Sequence, residues 1–187
     1  MNTLKTSVRF TVVTMVLLGV LYPLAVTLIA QLTMRDNANG QMVSQNGAVV
    51  GSKLIGQGFQ GTRYFHGRPS AAGSGYDASS SGGTNLAASS QKLVDRIHAD
   101  VSALQSQKPG TPVPIDLVTT SGSGLDPDIT PAAAFYQVDR VAAARHLPEN
   151  EVRSLVAAHV QNRQFGVLGE PRVNVLALNL ALDAISR

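Results

Sequence analysis

Between Arg9 and Arg35 the chain carries no charged side chain, and this stretch constrains everything that follows it. Its core, Phe10 to Leu32, reads FTVVTMVLLGVLYPLAVTLIAQL. As a helix it would reach about 35 Å, enough to cross a hydrocarbon layer of about 30 Å. Four polar residues interrupt it: Thr11, Thr14, Thr27 and Gln31. A threonine can bond its own helix backbone, and Gln31 lies at the end that a headgroup can reach. Gly19, Tyr22 and Pro23 fall mid-span. In lipid a proline kink is tolerated if neighbouring groups satisfy the freed carbonyl. A small residue beside a kink also makes a face for a second helix, so these three are the candidate helix-packing residues. A cleaved leader is the competing reading. It would want an apolar core of about 7 to 15 residues followed by small residues. Here the core is longer, and Leu28-Ile29-Ala30 puts a bulky residue where a small one is needed, so an uncleaved anchor is expected.

Orientation follows from the flanking cations. Lys5, Arg9 and the free amine precede the span, and only Arg35 closely follows it. The N-terminus is therefore expected in the cytoplasm, with a C-terminal domain that is periplasmic or extracellular. The expected organisation is a cytoplasmic segment 1–9, a transmembrane helix 10–32 and a soluble domain 36–187. Lys and Arg total 15 against 12 Asp and Glu, a net charge of +3. No acid occurs before Asp36, and from there onward basic and acidic residues balance. No basic surface for a nucleic acid is implied. With no cysteine there is no disulfide framework and no thiol nucleophile. Aromatics are 5% and Trp is absent, which disfavours base stacking.

Within the domain, Asn46-Gly47 between Met42–Gln45 and Ala48–Val50 reads as a β-hairpin. Leu54-Ile55 and Tyr64-Phe65-His66 read as further short strands. Ala71 to Ser90 is mostly Ala, Ser and Gly without periodicity, a long loop. A helix is expected from Ser90 to Gln107, with Leu93, Ile97, Val101 and Leu104 on one face. Ile115 to Val118 is expected to be extended after Pro112 and Pro114. Thr130-Pro131 reads as an N-cap with proline at the first helical position. Helix follows over Ala132–Val138 and Asp139–His146, and another starts at Pro148, with Val152, Leu155, Val156 and Val160 on one face. Pro171 to Val175 is extended and Leu176 to Ile185 a closing helix, with Asn174 a candidate cap. The class is α+β, one N-terminal transmembrane helix followed by a single mixed domain, strands early and helices late.

Little in these residues argues for a catalyst. His66, His98, His146 and His159 show no metal-ligand spacing, so no metal site is expected. Ser79 to Thr84 and Ser121 to Gly124 are Gly-rich, yet no G-x-x-x-x-G-K-[ST] occurs; plain turns are the better reading. Asp126 and Asp128 could attract cations toward a pore mouth, but acids in such a turn more often bond backbone amides. Tyr64, Phe65, His66 and Arg68 combine aromatic and cationic groups on a Gly/Pro-rich segment, which suits a subunit contact. A core role for Tyr64 and Phe65 is equally compatible with the pattern.

Several blocks together carry a resemblance. They are Gly19-Val20-Leu21-Tyr22-Pro23-Leu24, Gly51 to Gln57 with Phe59, Tyr64 to Ser70, and Ser81 to Leu86. The longest runs from Asp116 to Ala134, DLVTTSGSGLDPDITPAAA, followed by Gln137 to Arg145. Gly169-Glu170-Pro171, Val173-Asn174-Val175 and Leu178-Asn179 close it. In order and spacing the chain resembles the C subunit of the Kdp potassium-transporting P-type ATPase over nearly its whole length. One departure is Asp139, where some relatives carry proline; Asp can cap the second helix there.

The resemblance implies a non-catalytic subunit of a complex in the bacterial inner membrane that couples ATP hydrolysis to potassium uptake. Its implied partners are a channel-like potassium-translocating subunit, a P-type ATP-hydrolysing subunit and a very small membrane subunit, with lipid around the span. It implies a catalytic chaperone that raises the ATP affinity of the hydrolysing subunit, no tightly bound cofactor, and ATP only through the complex. An external domain cannot touch cytoplasmic ATP, so such an effect must be allosteric. The alternative is a direct nucleotide-binding module in the reverse orientation, with Gln137 and the Gly-rich turns as its candidate contacts.

Overall fold

A computed structural model of the chain describes residues 2–185. Met1, at the head of the expected segment 1–9, and residues 186–187, at the end of the expected domain 36–187, lie outside the described residues. The chain divides into two compact units, residues 1–50 and 51–187.

The first unit is dominated by one apolar helix, Asn2–Thr33, long enough to cross a membrane. None of its residues is buried. It comprises α1 (Asn2–Val16), a π-helical turn (Leu17–Leu21) and α2 (Tyr22–Thr33). The widened turn ends at Leu21, two residues before Pro23, which has no N–H for the carbonyl four residues back and whose ring needs room there. Widening lets the Tyr22 N–H reach the Leu17 carbonyl, so the proline is accommodated by a π-turn inside a continuous helix. Past the span, the Gln31 side chain donates to Asn39 Oδ1 at 3.1 Å, beyond the short α3 (Arg35–Ala38). The hairpin forms as expected, from β1 (Met42–Gln45) and β2 (Ala48–Ser52). Asn46 and Gly47 take φ of +52° and +80°, the pair of left-handed residues that a two-residue hairpin turn requires.

The second unit contains α4 (Gln91–Gln107), a 3₁₀ turn (Ile115–Leu117), β3 (Asp128–Ile129), α5 (Pro131–Tyr136), α6 (Val138–Arg145), α7 (Glu149–Ala158), β4 (Val160–Gln161), β5 (Arg172–Asn174) and α8 (Val175–Ile185). The strands form one antiparallel sheet in the order β3-β5-β4, with Ile129 and Val160 both opposite Val173. Thr130 Oγ1 accepts the Ala133 N–H at 3.2 Å and starts α5. Asn174 Oδ1 accepts the Ala177 N–H at 3.0 Å and starts α8. Both caps are those the sequence offers. Fully buried Val138, Val141, Val152, Val156, Val173, Leu178 and Leu182 form the core with Phe65. Ala133, Ala134 and Ala142 keep α5, α6 and α7 close. α4 is different: no residue of it is buried, and Leu104 alone of its expected face packs against the core cluster.

Three local expectations are corrected. Leu54-Ile55 and Tyr64-Phe65-His66 join no sheet. Tyr64 ends a bend and Phe65 and His66 have no regular structure; side chains rather than a neighbouring strand satisfy their backbone. Ile115 to Leu117 closes into a 3₁₀ turn, because the Asp116 carboxylate turns inward to accept the Thr130 N–H at 2.6 Å and its hydroxyl at 3.0 Å. The order of strands early and helices late also fails: the three-stranded sheet draws its strands from Asp128 onward, interleaved with helices. Strands of two or three residues carry too little alternation to be read from pattern.

Candidate functional site

Residues Gly58 to Ser70 cross the second unit without regular structure, and nearly everything that holds them comes from afar. Asn179 on α8 brackets one residue. Its Oδ1 accepts the Phe65 N–H and its Nδ2 donates to the Phe65 carbonyl, each at 2.9 Å. Gln137, between α5 and α6, does the same for the next. Its Oε1 accepts the His66 N–H at 2.8 Å and its Nε2 donates to the His66 carbonyl at 3.1 Å. The N–H and carbonyl of two consecutive residues thus receive partners of the kind a strand would give, supplied by side-chain amides. Arg140 donates to the carbonyls of Thr62 and Tyr64, and Arg145 to that of Arg63. Arg145 also pairs with Asp183 at 2.7 Å and lies 4.8 Å from the Tyr64 ring centre. Arg68 donates to the Thr119 and Thr120 carbonyls, the Thr119 hydroxyl and the Asp126 carboxylate.

This segment forms one wall of an open cleft of about 1180 Å³. Phe59, His66, Arg68 and Tyr76 line that side, and Leu104, Lys108, Tyr136, Gln137, Asp139 and Arg140 the other. The cleft leans basic. Lys108 pairs with Asp139 at 3.1 Å, and Arg68 with Asp126 at 3.1 Å. Burial pulls the His66 imidazole below its usual range and the nearby Arg140 adds to that, against the bond from its Nε2 to the Gly61 carbonyl at 2.7 Å. Burial raises the Tyr76 phenol, whose hydroxyl donates to the Arg68 carbonyl at 2.6 Å. Burial also pulls the Asp139 carboxyl upward, but the Lys108 ammonium and backbone amides together hold it below the usual carboxylate range.

The residues singled out from sequence separate here. His66, Arg68 and Gln137 face the cleft, while Tyr64 and Phe65 are not among its lining residues. Phe65 is 0% exposed and belongs to the core, so it presents no surface to a partner. Gln137 is buried, and both amide atoms are fully engaged: Arg140 also donates to its Oε1 at 2.6 Å, and its Nε2 also donates to the Ala133 carbonyl at 3.2 Å. The two Gly-rich turns lie against each other. The Gly82 N–H and the Ser81 hydroxyl donate to the Ser123 carbonyl, and a Cβ on Gly124 would meet the Gly82 carbonyl oxygen at 2.6 Å. Asp126 accepts the Asp128 N–H at 3.0 Å, the turn role expected of it. Asp139 sits in the first turn of α6 and pairs with Lys108; the residue at the cap position is Gln137. Gly19, Tyr22 and Pro23 lie exposed at the π-turn of the apolar helix. Among the described residues no group of three His, Cys, Asp or Glu is placed to hold a metal.

A single apolar helix that buries nothing of its own, followed by a mixed domain whose polar side chains fix a coil, fits a membrane-anchored subunit. The family model for the K+-transporting ATPase c chain matches residues 4–184, and the chain belongs to that family. It is 61% identical over 180 residues to the potassium-transporting ATPase KdpC subunit of Koribacter versatilis, covering 96% of this chain and 93% of that protein. It is 57% identical to the KdpC subunit of Acidobacterium capsulatum, over 98% of each chain. The KdpC subunit of Methylobacterium nodulans is 56% identical, with 91% of this chain and 90% of that protein covered.

Proposed function

We propose that this chain is a non-catalytic accessory subunit of an ATP-driven potassium uptake complex. It stabilises the assembly and raises the ATP affinity of the hydrolysing subunit allosterically, from a domain held outside the cytoplasmic membrane. The observation that carries the indirect route is the engagement of Gln137. All four of its amide valences hold His66, Arg140 and Ala133, so a nucleotide contact there would have to break the support of the coil segment. The cation bias before the span supports the orientation.

The decisive experiment removes the gene and restores either the full chain or residues 1–50. The full chain is expected to restore potassium uptake at limiting potassium and the apparent ATP affinity of the complex, and residues 1–50 neither. Full restoration by residues 1–50 rejects the proposal. A reporter fused after the last residue, active on one side of the membrane only, tests the orientation.

The volume and basic lining of the cleft favour one second reading, a direct nucleotide-binding module. Titrating the detergent-solubilised full chain with ATP tests it. Saturable binding that Arg140→Gln weakens would favour the second reading, and its absence would end it.

A further inference from the structure

The connection between β4 and β5 is not a slack loop. Beyond the ladder it pairs again, with Gln164 and Leu168 exchanging two backbone hydrogen bonds of 2.9 Å. The Gly166 N–H reaches the Arg163 carbonyl and the Val167 N–H the Gln164 carbonyl. Arg163 and Glu170 pair across its base at 2.6 Å. The result is an ordered finger, and its tip is apolar: Phe165 is 91% exposed, Val167 73% and Leu168 57%. Phe165 is also one of six non-glycine residues with positive φ among the described residues, at +53°. A bulky residue is costly there, and such strain persists at ligand clamps and contact points. Asn or Gly would suit the turn better and would not expose a ring to water.

We infer that this finger is an anchor for another subunit of the same complex, and that its tip enters an uncharged apolar pocket of that subunit. The inference rests on the proposed role as an accessory subunit. Three observations select this occupant. Residues 162–169 carry one charge, Arg163, and Glu170 neutralises it, so nothing at the tip complements an anionic headgroup. The tip has no Trp or Tyr, the residues enriched where proteins meet the bilayer–water interface. The exposed apolar area is on the order of a few hundred Å², against about 800 Å² per partner in a stable interface. It can strengthen a contact between proteins already held together, as subunits of one membrane complex are, but not recruit a free one. The N–H groups of Gln164, Gly166, Val167 and Leu168 are bonded within the finger, which reduces the number of donors an apolar pocket would strand.

The test uses the intact complex with a benzophenone derivative of phenylalanine at position 165. Irradiation is expected to give an adduct with one other subunit, identified by mass. In parallel, Phe165→Asn suits the positive φ and removes the ring. It is expected to leave the unfolding temperature of the solubilised chain unchanged or higher, yet to lower retention in the complex about tenfold. Phe165→Leu should restore most of that retention. An adduct with lipid alone, no adduct above the dark control, or full retention of Phe165→Asn would each overturn the inference. Deletion of the whole chain is the separate check: if it abolishes uptake while Phe165→Asn is fully retained, the accessory role stands and the anchor falls.

Discussion

The helix Asn2–Thr33 and the domain from Gly51 onward both rely on aliphatic side chains, and they use them in opposite ways. The helix buries none of its residues, while the domain hides Val138, Val141, Val152, Val156 and Val173 completely. The same backbone requirement underlies both. Every peptide N–H and carbonyl away from water needs a partner. The helix meets it locally, even at Pro23, where a π-turn absorbs the missing donor. The domain meets it over long distances, with Asn179 reaching back 114 residues to Phe65. Local satisfaction tolerates changes of side chain as long as they stay apolar; long-range satisfaction depends on single atoms.

That contrast can be broken most forcefully at Asn179. Asn179→Ala leaves the buried N–H and carbonyl of Phe65 without partners and should cost about 4 kcal/mol. Denaturant unfolding of the solubilised chain, followed by tyrosine circular dichroism, measures it; a cost below about 1 kcal/mol would show that another group takes over. On the helix side, Leu18→Arg places a charge mid-span and should disfavour insertion by about 3 kcal/mol, read as the inserted fraction in a translocation assay. Unchanged insertion would mean that this stretch is not the spanning one. Gly56→Ala tests close approach, since its Cβ would meet the Asp126 carbonyl oxygen at 2.6 Å and the Tyr76 ring at 3.0 Å. About 2 kcal/mol should be lost, again by unfolding.

The smallest effect sharpens the electrostatics. Burial first, then Arg140, hold the folded value of His66 below its unfolded one. Its contribution is therefore fully present above about pH 6.5 and is lost as pH falls through the folded value. The wild-type unfolding temperature should drop more steeply with acid than that of His66→Gln. Parallel pH profiles would remove His66 from the account.

The features legible in the sequence were the ones encoded by neighbours. Asn46-Gly47, the Thr130 and Asn174 caps, the limits of α4 and the start of α7 each depend on a few consecutive residues, whereas Val160, expected on the α7 face, lies in β4. The strands β3 and β4 are two residues long and exist only because β5 lies between them. At the cleft, His66, Arg68 and Gln137 could be picked out by residue type and resemblance. Their use could not, because the amides of Gln137 and Asn179 serve backbone groups distant in the chain. Phe165 was not legible in this way, because Phe-Gly is a poor turn signal beside Asn-Gly and nothing local reveals that its ring faces water.

By itself the sequence determined the uncharged span, the bias of cations around it, the charge-balanced α+β domain and the resemblance to the KdpC family. Each of these follows from composition, period or order along the chain. Only the tertiary structure decided that Phe65 is core, that Gln137 and Asn179 stand in for a missing strand, and that Phe165 stands out on an ordered finger. Hydrogen bonds and burial join residues that the chain separates by up to 121 positions, and no local pattern records which pairs will meet.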